Sequence, residues 1–373
     1  MPDYKEKLKP KLYYLAPAFL ISSLLLAALT SNNKPPPFLD NIDNFVLFAQ
    51  EEVRIEEESQ ISSGNIGSNR DIDINKDIIS NSDLFSDKIT IDKDTQINGN
   101  AVFNKLFIKK DSQILGEQTQ EVSLPIANIP QIGTFNTGQD NLMFQGEENT
   151  LPPGDYKSIT LNENSRLTLT GGIYNIEQLE LKNNSTLIFP ELARLNIKNK
   201  LSGLLNISIL PGLNAKPDDL IVNFSGHNFI HFGKQSFLNF NLLAPNAHLR
   251  FAKQTTFRGQ IVAKRIFIAK DSVLSRGESF EKESDITKVV EDEGIRLIVN
   301  EIIILFKEGA ILEDLLAVAN LVDGRATGFL PDLEMGKIEV PAETIEELND
   351  LINLIKDSSN PLIDDALPNS LIL

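Results

Sequence analysis

The chain has no cysteine and no tryptophan, and it has three histidines in 373 residues. Without cysteine there is no disulfide framework, no thiolate metal site and no cysteine nucleophile. His227, His231 and His248 leave little material for a histidine-based centre. Positive charge is also scarce. There are 35 Lys and Arg against 52 Asp and Glu, a formal net charge of −17. That balance argues against holding nucleic acid or anionic lipid through a general field, and it suits a soluble, self-repelling surface protein.

Long apolar runs are confined to the start. Lys5, Lys7, Lys9 and Lys11 precede Leu12–Leu29, which carries no charge. Basic residues followed by an apolar run are the pattern of a secretory signal or a signal anchor. The chain is therefore expected to be exported, on the outer side of the cytoplasmic membrane, at the cell surface or secreted. Cleavage of residues 1–31 and retention as a membrane-contacting helix both stay open. Three successive prolines make 32–38 a linker. Ile42, Phe45, Val46 and Ala49 have helical spacing, which predicts a short amphipathic cap helix over 39–54.

What is abundant is a short repeat. Leu249, Phe251, Ala252 and Lys253 recur 17 positions later as Ile266, Ile268, Ala269 and Lys270. Gly99–Ile108 aligns without a gap on Gly259–Ile268, and Leu161–Leu167 matches Leu181–Leu187 with an offset of 20. Each unit alternates Ile, Leu, Val or Phe with polar residues and then turns on DKD, KKDS, NENS or KNNS. Alternation of period two is a strand with one face inward. A fixed period of about 17–20 residues is a solenoid coil with two or three faces. The fold class is thus mainly β, a parallel β-helix, with coils at 61–117 and 151–284. The helix over 39–54 would cap its first coil. Residues 118–150 are less periodic and carry Pro125, Pro130 and Gly133. They read as an insertion or a crossing segment between two solenoid halves, packed on the solenoid flank.

Leu151–Tyr156 (LPPGDY), Gly171–Tyr174 (GGIY), Ala244–Ala247 (APNA) and Gly259–Lys264 (GQIVAK) together resemble a family of exported bacterial β-helix surface domains, over about residues 151–275. The resemblance implies a surface or secreted protein and names no chemistry. Bactofilins, which form polymers, share the 17-residue period but lack an exported leader.

The residues offer no catalytic constellation. His227 and His231 fall on one side of a strand, with His231 and Phe229 pointing away from Ile230 and Phe232. No cysteine or acidic pair completes a metal site, so no metal and no cofactor are expected. Asp111 and Asp271 recur as turn formers. Lys253, Lys264, Arg265 and Lys270 could stack into a basic ladder for an acidic surface polysaccharide, although a solvated face explains them as well.

Beyond Asp285 the period changes. Strands are expected at 297–306, 325–330, 337–340 and 361–366, with helices at 313–322 and 344–356, the second opened by a Thr344–Glu347 capping box. The order β-α-β-β-α-β predicts a C-terminal α+β, ferredoxin-like domain over 285–373. Asn300–Gly309, Gly324, Leu330–Leu333, Val340-Pro341 and Asp364–Asn369 resemble the propeptide of subtilisin-like serine proteases. The resemblance implies an inhibitor-type domain that packs its sheet on a protease and lays its tail in the substrate cleft. Phe306 and Leu333 would then support the sheet, with Asp365, Ala366, Leu367, Pro368 and Asn369 in or near the tail. The H-G-T and G-T-S motifs of such proteases do not occur in the 373 residues, so the chain is not expected to be an enzyme. Two functions emerge as expectations. One is an exported β-helix that binds a subtilisin-like protease in trans. The alternative is a structural or adhesive surface solenoid, glycan-binding or polymer-forming, with a vestigial C-terminal domain.

Overall fold

A computed structural model describes residues 42–373, apart from 147–148, 213–214, 277–279, 282–283, 285, 293–294, 311, 331–332, 359 and 372–373. The leader and the 32–38 linker lie outside the described residues. Among those described, no helix is long and apolar enough to cross a membrane.

The chain is mainly β, a parallel solenoid of about twelve turns. Each full turn has three flat faces, here A, B and C. In one turn they are 84–86, 88–91 and 96–97, and the next turn repeats them at 101–103, 105–108 and 113–114. Turns pair in parallel and in register, so equal positions stack. Ile266, Val53, Ile72, Ile89 and Leu106 form one such inward column. Most of the column is fully buried. Each buried aliphatic side chain stabilises by about 1.5–3 kcal/mol, which is how a cysteine-free chain closes its core.

The turns do not stack in chain order. The strand Phe45–Ile55 pairs on one side with Asn65–Ile74 and on the other with Thr256–Ile268, more than two hundred residues away. The turns at 45–120 therefore sit on top of those at 141–275. The connection between them has to travel the length of the stack, and 121–140 does this along face A. Its Ile126 and Ala127 are buried against Phe45, Phe48 and Val262. Asn69 clamps it from the solenoid: Nδ2 donates to Ala127 O (2.9 Å) and Oδ1 accepts from Ala127 N (3.2 Å).

This corrects the expected cap helix. Residues 45–55 are a strand in mid-stack. Leu47 and Ala49 face the solenoid core, while Phe45 and Phe48 face the crossing segment. Apolar residues on both sides of a strand break the period of two and imitate helical spacing. Gly67 leaves room for the Phe45 and Phe48 rings; a Cβ there would come within 2.6 Å of both.

The corner between faces B and C is the repeated turn. Asn164, Asn184, Asn206, Gln235, Gln254, Asp271, Glu58, Asp77, Asp94 and Asp111 occupy it in stacking order, each with φ between 52° and 63°. In five turns the next residue, Ser or Thr, donates its hydroxyl back three residues, as Ser185 Oγ to Lys182 O at 2.7 Å and Ser272 Oγ to Ala269 O at 2.7 Å. The Asn-Ser and Asp-Ser pairs of the repeat are this corner: a left-handed residue, then a buried hydroxyl that closes it.

The C-terminal region forms a separate antiparallel sheet. Arg325–Leu330, Met335–Glu339, Ile295–Phe306 and Ile363–Leu371 lie side by side in that order, and Val289–Asp292 pairs the start of Ile295–Phe306. Helices α1 (Leu312–Leu321) and α2 (Ile345–Lys356) pack on one face through Leu315, Val318, Leu348, Ile352 and Ile355. The Thr344–Glu347 capping box is present. Leu210, Phe237 and Val273, pointing outward from face C, join this core. Arg325 ties the two bodies together, 3.1 Å from Asp271 Oδ1 and 2.8 Å from Glu339 Oε2.

Candidate functional site

Surface, rather than a pocket of reactive groups, is what the solenoid offers. Face A is covered. Its outward column runs Asp155, Asn175, Asn196 and Asn223, joined by side-chain hydrogen bonds of 2.7, 2.8 and 2.9 Å. It continues through Leu243, Val262, Phe48, Gly67, Phe85 and Val102, and the crossing segment packs on this apolar part. The middle of face C lies against the C-terminal domain. Face B remains.

Two outward columns run along face B. One is Met143, Thr160, Glu180, Ser202, His231, Arg250, Phe267, Arg54, Asp73, Thr90 and Phe107. Its middle is unlike its ends. The Phe229 and His231 rings stack at 6.4 Å with 15° between planes. The Arg250 guanidinium sits 4.9 Å from the Phe267 ring centre, and Arg54 approaches the same ring at 6.0 Å. Arg54 is also paired with Glu56, whereas Arg250 makes no ion pair among the described residues. Burial and then the nearby Arg250 charge hold the His231 pKa below the ordinary histidine value. Burial, then Arg265 and Lys264, do the same to His248.

His231 does point outward beside Phe229, with Ile230 and Phe232 buried. Among the described residues, no three His, Asp or Glu side chains gather as a metal site.

The expected basic ladder is largely neutralised, because the 45–61 turn stacks directly on 256–275. Arg265 Nε lies 2.7 Å from Glu51 and Lys264 Nζ 3.6 Å from it, while Lys270 faces Glu57 (3.8 Å) and Glu58 (4.0 Å). Burial alone would raise the Glu51 pKa, but the two cations more than offset it and the net shift is downward. No local signal in the sequence brings these charges together, since the partners are over two hundred residues apart.

The residues drawn from the protease-propeptide resemblance are dispersed. Phe306 is core, 3% exposed, and Leu333 is 48% exposed. Asp365, Ala366, Leu367 and Pro368 pair with Leu305, Ile304, Ile303 and Ile302, and Asn369 pairs with Ile298. These five residues lie in an edge strand of the chain's own sheet. Pro331 and Asp332 of the resemblance lie outside the described residues. Asp111 and Asp271 stand at the expected turns. No sequence pattern signals that Asp271 also receives Arg325.

The motifs of the β-helix resemblance have physical roles. Tyr156 donates its hydroxyl to Pro152 O and Tyr174 to Leu151 O, both at 2.8 Å, which fixes the LPPGDY and GGIY turns. Gly259 has φ +130°, and a Cβ there would lie 2.2 Å from Phe240 O.

No family model matches the chain, and no curated protein matches it. Among solved structures it is similar to an ice-binding protein from an Antarctic biological consortium, with 12% identity, TM-score 0.34, and coverage of 66% of this chain and 94% of that one. It is also similar to the DUF3494 domain of Shewanella frigidimarina ice-binding protein 1, with 11% identity, TM-score 0.34, and coverage of 63% and 95%. A third is an ice-binding protein from the ascomycete Antarctomyces psychrotrophicus, with 16% identity, TM-score 0.30, and coverage of 63% and 96%. Overlaps this low assign no ligand to this chain.

Proposed function

We propose that the chain is a non-enzymatic, exported surface solenoid, structural or adhesive in role, that holds an acidic polysaccharide along face B. One observation carries the reading. The chain itself covers the apolar part of face A and the middle of face C, while face B stays open over stacked turns spaced about 4.8 Å apart. The middle of that face suits such a ligand. Phe229, His231 and Phe267 offer flat apolar rings, and the planar Arg250 fork matches a carboxylate or sulfate. Export rests on the Lys5–Lys11 and Leu12–Leu29 pattern.

The test is binding of the full chain to alginate, polygalacturonate and heparin, against Arg250→Ala and Phe267→Ala. Arg250→Ala is expected to weaken binding about tenfold, the order of one charge-assisted hydrogen bond, with an unchanged melting temperature. Binding should tighten in acid. The folded-state pKa values of His231 and His248 are depressed by burial, so each becomes cationic at a lower pH than it would in the unfolded chain. The same depression means that their contribution to stability is present above the unfolded value and is lost as pH falls. Equal binding by Arg250→Ala, or none to any acidic polymer, overturns the reading. Arrest of ice growth by the wild type, lost in Phe267→Ala, would make the ligand ice.

A second reading keeps the C-terminal domain as a ferredoxin-like docking module for a subtilisin-like protease. What supports it is the β-α-β-β-α-β order and the outer edge of Ile363–Leu371, which could accept a strand. Inhibition of a subtilisin by the full chain, lost on deleting 365–373, is its measure.

A further inference from the structure

The C-terminal domain does not meet face C along its whole length. Between α1 and the B–C corner the two leave a cleft of about 440 Å³. Its size is that of a small-molecule site, and clefts between domains are a common place for one.

The solenoid wall of this cleft is chemically uniform. Asn184, Asn206, Gln235 and Gln254 line it, each at the left-handed corner of its turn. The repeated φ fixes each side chain in the same direction at every step of the stack. Each amide carries both donors and acceptors. Asn184 uses part of this capacity, giving Nδ2 to Asn164 Oδ1 (3.0 Å) and taking Asn206 Nδ2 (3.1 Å). The side-chain amides of Gln235 and Gln254 make no hydrogen bond within the described residues. Beside them Thr186 and Ser208 also line the cleft.

The opposite wall is Leu316, Ala319 and Asn320 of α1 and the turn after it. Charge is nearly absent. Arg325 spends its guanidinium on Asp271 and Glu339, leaving Asp323 as the remaining ionised group of the lining. A site built of paired amides and hydroxyls, without a free cation, fits a ligand rich in vicinal hydroxyls and without charge. It does not fit an anion, and Phe237, Leu316 and Ala319 give the apolar patches that the C–H faces of a sugar ring can cover.

We propose that this cleft binds one or two neutral sugar residues. The site is separate from the Arg250 region of face B, and the two fail separately.

The experiment uses the full chain with cellobiose, maltose and N,N′-diacetylchitobiose as probes, read by saturation-transfer NMR and titration calorimetry. Asn320→Trp fills the cleft from the exposed helix side without touching the solenoid. Ser208→Leu fills it from the other wall. Each is expected to weaken binding of the responding disaccharide at least tenfold at an unchanged melting temperature, while Arg250→Ala leaves it intact. Absence of transfer from all three disaccharides overturns the proposal and leaves a hydrated seam only. So does binding that Asn320→Trp leaves unchanged.

Discussion

The turns at 45–120 and those at 141–275 build the same corner with different chemistry. In the later turns five of the six left-handed residues are amides: Asn164, Asn184, Asn206, Gln235 and Gln254. In the earlier turns all four are acids: Glu58, Asp77, Asp94 and Asp111. Amides can bond one another along the stack, and three of them do. Carboxylates only accept, so three of these four pair with lysines instead, as Asp77 with Lys76 at 3.1 Å and Asp111 with Lys110 at 3.5 Å. The later turns also carry the docked domain, whereas the earlier ones keep close to the 17-residue period. The backbone demands positive φ at the corner. What stands on that backbone depends on what the neighbouring surface must do.

The sharpest way to break the comparison is at the junction where the halves meet. Leu47 is fully buried between 261 and 66. Leu47→Asp places a charge there and is expected to cost more than about 4 kcal/mol, which removes folded protein altogether. The same change at half-buried Leu106, in the last full turn, should cost about 1–2 kcal/mol, because solvent is near. Urea unfolding followed by circular dichroism reads both. If Leu47→Asp leaves 141–275 folded, the halves are independent bodies.

The next effect is smaller and concerns the strap between the halves. Asn69→Ala removes both hydrogen bonds to Ala127 and leaves two buried backbone groups partnerless, at a cost of about 1–3 kcal/mol. Hydrogen exchange of Ala127 and proteolysis within 121–140 should rise well before global unfolding. Unchanged protection of Ala127 would mean that Phe45 and Phe48 alone hold the strap.

The residues that announced the fold are those that repeat. The inward columns and the corner pairs are local patterns of seventeen to twenty residues, so Ile89, Leu106, Asp111 and Ser272 can be read from the chain. Stacking order is not local. Nothing near Phe45 says that Ile266 will be its turn's neighbour, and the 39–54 helix expectation failed for that reason. The candidate surface was half legible. The outward side of His231 follows from alternation, but the bareness of face B follows from what covers faces A and C. The neutralised basic ladder was hidden in the same way, since Glu51 reaches Arg265 only through the non-sequential stack.

The smallest expected effect sharpens the comparison of the corners themselves. Any residue with a Cβ carries about 1 kcal/mol or somewhat more of strain at a left-handed position, and the short polar side chain of Asn or Asp offsets part of it locally. Asp94→Ala keeps the Cβ and should lose only this local offset, because the Asp94 side chain has no bonded partner within the described residues. Asn184→Ala loses the same offset and also two amide contacts, to Asn164 and Asn206. These lie at an exposed corner, so they should add roughly 0.5–1 kcal/mol. Paired denaturation midpoints measure the difference. Equal losses at the two sites would mean that the amide column contributes nothing to stability. Its uniformity along the cleft would then belong to binding alone.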